Sequence, residues 1–172
     1  MEELIKKAQH GDKESFSKAV LMIKEECYKI AYCYLHNSED SMDAICDAVE
    51  KALINIKKLK EPKYFKTWFT RIVINECKMQ LRKRRKVIQM ADELYTPEIK
   101  KMESKRRDGT IDLETALKEL KPKIRLLIYL KYYLGYTLED IAETMELPVG
   151  TVKTKIYSNL KVLRRQLEVK GG

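Results

Sequence analysis

Apolar residues recur along this chain at alternating steps of four and three, and no stretch alternates at a step of two. Phe16, Val20, Ile23, Cys27, Ile30 and Tyr34 keep that spacing without interruption, which places them on one face of a single long helix. Met42, Ile45, Val49, Leu53 and Ile56 repeat the pattern after a break at His36-Asn37-Ser38. Ser38 or Ser41 is the expected cap, and Glu39, Asp40 and Asp43 suit the positive end of the helix dipole. A third helix, opened by Pro62, runs through Phe65, Trp68, Phe69, Ile72, Val73 and Ile74 and ends in the basic run Arg82 to Lys86. Its residues are apolar nearly all round, as expected of a central buried helix. Glycine (6) and proline (4) are too sparse in 172 residues for the many turns of a sandwich or barrel. The expected fold class is all-α.

The pattern fades between Val87 and about Thr110, where Pro97 and Gly109 stand among alternating charges. It resumes at Asp112 with Leu113, Ala116, Leu117 and Leu120, then from Pro122 through Ile124, Leu127, Ile128 and Leu130 to a stop at Gly135. Two small helical domains are therefore expected, residues 1–86 and 112–172, joined by a flexible linker at 87–111 with at most one short helix. The charge follows this division. Residues 1–85 carry 18 basic and 13 acidic side chains, residues 86–112 carry 6 of each, and residues 113–172 carry 11 and 7. The +9 excess thus sits at both ends, which favours a polyanionic partner for two modules around a neutral connector.

Cys27, Cys33, Cys46 and Cys77 include no Cys-x-x-Cys pair, and the only histidines are His10 and His36. No metal site is expected from that spacing. The cysteines fall inside helical patterns and read as small core residues in a reducing compartment. Glu2, Glu3, Lys6 and Lys7 interrupt any leader-like apolar stretch, and no apolar run is long enough to span a bilayer. A soluble, intracellular protein without cofactor is the expectation.

Two stretches carry chemistry. From Tyr136 to Lys161, a helix with capping-box spacing at Thr137 and Asp140 is followed by the turn Glu146 to Gly150 and a second helix. That is the layout of a helix-turn-helix, with small Ala142 where the helices approach. Val152, Ile156, Leu160, Leu163 and Leu167 point one way, and Lys153, Thr154, Tyr157, Ser158 and Lys161 the other, with Lys155 at the flank. Lysines and hydroxyls on one face suit guanine edges and phosphates in a major groove. From Lys57 to Arg85 there are eleven basic residues and two acidic ones, interleaved with Tyr64, Phe65, Trp68 and Phe69. Cations tracking phosphates beside aromatic faces that stack on unpaired bases would hold an opened strand. The same run also reads as core aromatics with a solvated helix end.

These residues resemble a known family. Lys63 to Asn75 (KYFKTWFTRIVIN) is similar to the F-x-T-W-L-x-R-I-x-x-N stretch of extracytoplasmic-function sigma factors. Tyr136 to Ala142 (YTLEDIA), Leu147 to Tyr157 (LPVGTVKTKIY) and His10 to Phe16 (HGDKESF) resemble other motifs of that family, in its order. The resemblance implies a bacterial transcription initiation factor without enzymatic activity. Its partners would be core RNA polymerase (β′ clamp helices and β flap), promoter DNA and a membrane-bound anti-sigma protein, with no small-molecule substrate. The first domain would resemble sigma region 2 and hold the melted −10 strand through Leu59, Lys60, Lys63, Tyr64, Lys66, Arg71, Asn75 and Lys78. Asn75 suits a flipped base because its amide both donates and accepts. Asp43, Cys46, Asp47 and Glu50 match the polymerase-docking surface. There Cys46-Asp47-Ala48-Val49 stands where the family usually has Gln-Glu-x-Phe, so Asp47 keeps the acid while the glutamine and aromatic are gone. The second domain would resemble sigma region 4 and read the −35 element through Lys153, Thr154, Lys155, Tyr157, Ser158 and Lys161. Lys155 stands where Arg is usual and lacks its bidentate fork. The two promoter elements lie on the order of 50–60 Å apart at 3.4 Å per base pair, and a linker of about 25 residues spans up to ~80 Å when extended.

Three other readings are open to the same residues. An ordinary helix-turn-helix regulator would bind duplex DNA alone and would not need the basic-aromatic third helix. A small nucleic-acid enzyme would need clustered carboxylates or a positioned nucleophile, whereas Glu39-Asp40 and Glu139-Asp140 sit at helix starts where capping accounts for them. A helical protein-interaction module would leave the basic recognition face without a role.

Overall fold

A computed structural model describes residues 1–94, 117 and 119–168, and all regular structure among them is helical. The chain opens with α1 (Glu2–Gln9), an element that the sequence patterning does not announce. Gly11 follows at φ +103°, a left-handed conformation that only glycine adopts without steric cost. Asp12 then caps α2 (Lys13–Leu35), accepting from the Glu14 and Ser15 amides at 3.0 and 3.1 Å. All six stripe residues from Phe16 to Tyr34 are buried, as their spacing predicts.

α3 (Ser38–Asn55) departs from expectation twice. Its cap is Asn37, whose side-chain oxygen accepts from the Asp40 amide at 2.8 Å, rather than Ser38 or Ser41. Its buried stripe is Ser41, Ala44, Ile45, Ala48 and Ala52, while Met42 is exposed and Val49 and Leu53 are only half-buried. Small side chains let α3 lie close against α2 and α4. Short 3-10 turns at Ile56–Lys58 and Pro62–Tyr64 lead into α4 (Phe65–Leu94). This helix continues past the basic run expected to end it. Phe65, Phe69, Val73 and Ile74 fill the centre of the first module, with Phe16 set edge-on to Phe65. Truncating a residue as buried as Phe69 would cost about 3–5 kcal/mol.

The helix expected from Asp112 lies largely outside the described residues, as does the linker segment beyond Leu94. Leu117 and Leu120 pack half-buried against the core. α5 (Pro122–Tyr132) begins with proline at its first turn, where the missing N–H costs nothing. Gly135 at φ +69° turns the chain into α6 (Leu138–Met145), and α7 (Val149–Glu168) completes the helix-turn-helix. Thr137 and Asp140 form the predicted capping box. α6 and α7 pack on one another through Ile141, Ala142, Met145, Val152 and Ile156.

The two modules are packed together. α5 lies along α2, and α6 lies against α4. Among the described residues no helix is long and apolar enough to cross a membrane.

Candidate nucleic-acid interface

The reading face of α7 follows from its buried stripe. Val152, Ile156 and Leu163 are buried, so the opposite side presents Lys153, Thr154, Tyr157, Ser158 and Lys161 to solvent. Lys155 is half-buried at the flank, and its carbonyl is tied to the Asn159 amide at 2.8 Å. A capping box of Thr137 and Asp140 fixes the start of α6. Hydrogen bonds from the Thr137 hydroxyl and amide hold the Asp140 carboxyl below its usual range.

The basic-aromatic stretch divides into core and surface. Phe65 and Phe69 belong to the core, while Trp68 and Asn75 share the wall of a small cleft with Lys51, Asn55, Lys58 and Ile72. Asn75 is half-buried and accepts a bond from Lys78 Nζ at 2.9 Å. Lys60, Lys63 and Tyr64 are exposed at the mouth of α4. Leu59 departs from the expected list. Its side chain is buried in the core and its carbonyl accepts from Gln9 at 2.7 Å, so it shapes the loop and offers no side chain to a nucleotide.

Lys66, Arg71 and Lys78 are each engaged by the second module or its neighbours. Lys66 pairs with Glu26 at 2.8 Å and lies over the Tyr136 ring at 5.8 Å. The Arg71 guanidinium faces Glu143 of α6 and Glu146, the residue that follows it, at 3.9 and 3.5 Å. These are long contacts to exposed carboxylates, each contributing less than about 1 kcal/mol. Burial depresses the Lys78 ammonium, which lies near Glu146 and Lys123.

The firmest bond between the modules is one that the sequence patterning misses. Arg125, buried on α5, donates to the carbonyls of Cys33 and Tyr34 at the end of α2, the latter at 3.0 Å, and to Leu120. The last carbonyls of a helix have no intrahelical partner and carry the negative end of its dipole. A cation bonded there is worth about 1.5–3 kcal/mol. Tyr136 adds a 2.7 Å bond from its hydroxyl to Glu26. Beside this contact, α2, α5 and α7 enclose an apolar groove of about 880 Å³, lined in part by Tyr28, Tyr32, Tyr129, Tyr132, Leu160 and Leu163.

On α3, Asp43, Cys46 and Glu50 are exposed and Asp47 half-buried on the side away from the alanine stripe. No group of three metal-ligating side chains occurs among the described residues.

Comparison with known proteins fits this architecture. Residues 22–87 match the family model for sigma-70 region 2, and residues 110–158 that for sigma-70 region 4. The chain is 32% identical over 160 residues to RNA polymerase sigma factor SigV of Bacillus subtilis, covering 90% of this chain and 95% of that protein. It is 30% identical over 176 residues to ECF RNA polymerase sigma factor SigW of the same organism, covering 95% and 94%. Among solved structures it resembles CnrH in complex with the cytosolic domain of CnrY, with TM-score 0.70, 19% identity, and 98% and 97% of the two chains covered. The sigma factor RpoE in complex with the anti-sigma factor NepR from Bartonella quintana gives TM-score 0.70 at 22% identity, covering 91% and 98%.

Proposed function

On the premise that this chain belongs to the extracytoplasmic-function sigma factors of the sigma-70 family, we propose how its residues carry promoter recognition. It is a transcription initiation factor and not an enzyme. It binds core RNA polymerase and directs it to promoters with −10 and −35 elements. The observation that carries the residue-level reading is the face of α7: five polar side chains, two of them lysine, stand exposed opposite the buried Val152, Ile156 and Leu163.

In this reading residues 112–172 read the −35 duplex, with Lys153, Thr154, Lys155, Tyr157, Ser158 and Lys161 toward the major groove. Lysines there serve phosphate or guanine, and the hydroxyls serve either. Residues 1–86 dock on polymerase and hold the melted −10 strand. Lys60, Lys63, Lys66, Arg71 and Lys78 follow the phosphates, Tyr64 and Trp68 offer stacking faces, and Asn75 reads one base. The polymerase-facing surface is the exposed side of α3 with Asp43, Cys46, Asp47 and Glu50. Residues 95–111, which follow α4, act as the tether between the two.

An anti-sigma protein is the third partner, and it holds the free factor at the inner face of the membrane. The apolar groove between α2, α5 and α7 supports a partner of this chemistry. Its tyrosine- and leucine-rich lining, with Lys29 and Arg164 alongside, fits an amphipathic helix bearing acidic flanks.

The deciding experiment mixes the full chain with bacterial core polymerase and a genomic DNA library and maps transcript starts. Starts that depend on the protein and share two upstream motifs at fixed spacing are the expected result. No stimulation, together with tight duplex binding by the chain alone, would make it an ordinary helix-turn-helix regulator instead.

A further inference from the structure

We propose that Gln9 is a positioning residue for strand capture: its side-chain amide braces the loop between α3 and α4, so that Lys58, Lys60, Lys63 and Tyr64 stand ready for a melted strand. This rests on the assignment of that loop and the adjoining face of α4 to the −10 strand. It adds a residue, remote in sequence, that acts on the strand only through the loop.

The loop is one that needs outside support. It runs from Ile56 to Tyr64 as two 3-10 turns, with Leu59 and Glu61 extended between them. Lys57, Lys58, Lys60 and Lys63 crowd like charge into this short stretch, and their repulsion opposes any single compact conformation. Ile56 and Leu59 anchor the loop by burying their side chains. The backbone is held from α1. The Gln9 Nε2 donates to the carbonyl of Ile56 at 3.3 Å and to that of Leu59 at 2.7 Å. An amide nitrogen carries two N–H groups, and each finds one of these carbonyls. Among the described residues no other side chain from outside the loop donates to its backbone. Gln9 is the last residue of α1, which is itself fixed by the buried Ile5 and Ala8 and touches both 3-10 turns.

The chemistry of the position is narrow. A carboxylate there would face two carbonyl oxygens, and an aliphatic side chain would leave both without a donor. What the brace orients is the cationic surface of the loop. Lys58 lines the cleft that also holds Trp68 and Asn75, while Lys60, Lys63 and Tyr64 are exposed. A loop set in advance spares the strand complex the cost of ordering it. Gln9 thereby raises strand affinity without contributing a contact.

The test compares the full chain with Gln9→Met and Gln9→Asn, each bound to core polymerase. Neither substitution changes the charge. Gln9→Met keeps the length and removes both donors, and Gln9→Asn keeps the amide on a shorter stem. The probe is a promoter recovered by transcript-start mapping, used as a duplex and with its −10 segment left single-stranded. Gln9→Met is expected to lower open-complex formation roughly tenfold, the worth of one to two hydrogen bonds. The salt slope for the single-stranded probe should fall by about 0.7 for each phosphate that the loop lysines no longer meet. Gln9→Asn should move the same way by less, and polymerase affinity should stay as in the parent. A factor that is merely less stable loses active molecules but keeps the slope, so an unchanged slope, unchanged melting or an equal loss of polymerase affinity would each overturn the proposal. Should Gln9→Met fail to fold by circular dichroism, Gln9→Asn decides alone. A parent that does not stimulate polymerase would remove the sigma reading and this proposal with it, whereas an active parent matched by both variants removes this proposal only.

Discussion

The Tyr136 hydroxyl donates to Glu26 at 2.7 Å, joining residues 110 positions apart. The other oxygen of the same carboxylate meets Lys66 Nζ at 2.8 Å. One side chain of α2 therefore touches both the second module and the proposed strand-binding face.

The pH behaviour of that bond has a definite sign. Burial, and then Glu26, raise the Tyr136 phenol above its usual range, and burial with Tyr133 pushes Tyr129 up to about 12. A phenol raised in the folded state contributes stability that is complete below the unfolded value of about 10 and is lost as pH rises toward the folded one. In an alkaline spectrophotometric titration these two phenols should ionise late, together with loss of helical signal. Tyr136→Phe should delete one late phenol. An unchanged number of late phenols would place Tyr136 in solvent.

Asn75→Ala should lower open-complex formation on a cognate promoter by roughly tenfold, within the 1–3 kcal/mol of a base contact. Polymerase binding should be unaffected, because Asn75 faces the Trp68 cleft and not the exposed side of α3. Equal promoter melting by mutant and parent would remove Asn75 from the reading of bases.

Replacing Lys153 and Lys155 together with Ala should reduce the salt dependence of −35 duplex binding, lowering the slope by roughly 2 when both lysines meet phosphate. A reduction of roughly 1 would assign phosphate contact to one lysine only, and an unchanged slope would mean that neither meets phosphate.

The four thiols should separate by reactivity. Burial pushes Cys27 and Cys77 up to about 12 and Cys33 up to about 11, whereas Cys46 is exposed. A thiolate-directed reagent should take Cys46 first, Cys33 slowly, and Cys27 and Cys77 only at the rate of unfolding. Bound core polymerase should protect Cys46, which lies on the proposed docking face. Undiminished labelling in the complex would place the docking face elsewhere.

What could be read from the amino acids depended on how loudly each residue reports its surroundings. The α2 stripe was legible because Phe16, Ile23 and Ile30 are large, apolar and regularly spaced. The α3 stripe was not, since alanines at 44, 48 and 52 make the contact while the more hydrophobic Met42 faces out. Alanine says little about burial until the neighbouring helix is known. The polar face of α7 was legible as the complement of its apolar stripe. Arg125 was not, because it stands in an apolar run and its partners are backbone carbonyls in another module. No local pattern encodes a contact of that kind, and Glu26 and Glu143 were missed for the same reason. Leu59 was misplaced because a loop position in sequence says nothing about which way its side chain turns.

The turn of the helix-turn-helix has a further consequence. Glu146 closes α6 at φ 53°, a left-handed conformation in which glycine would be at ease and a side chain is not. Glycine there would relax the turn, yet it would also delete one of the two carboxylates facing Arg71. Local comfort and long-range restraint thus pull the same position in opposite directions. Glu146→Gly would therefore ease the turn and loosen the contact between the two modules in a single step.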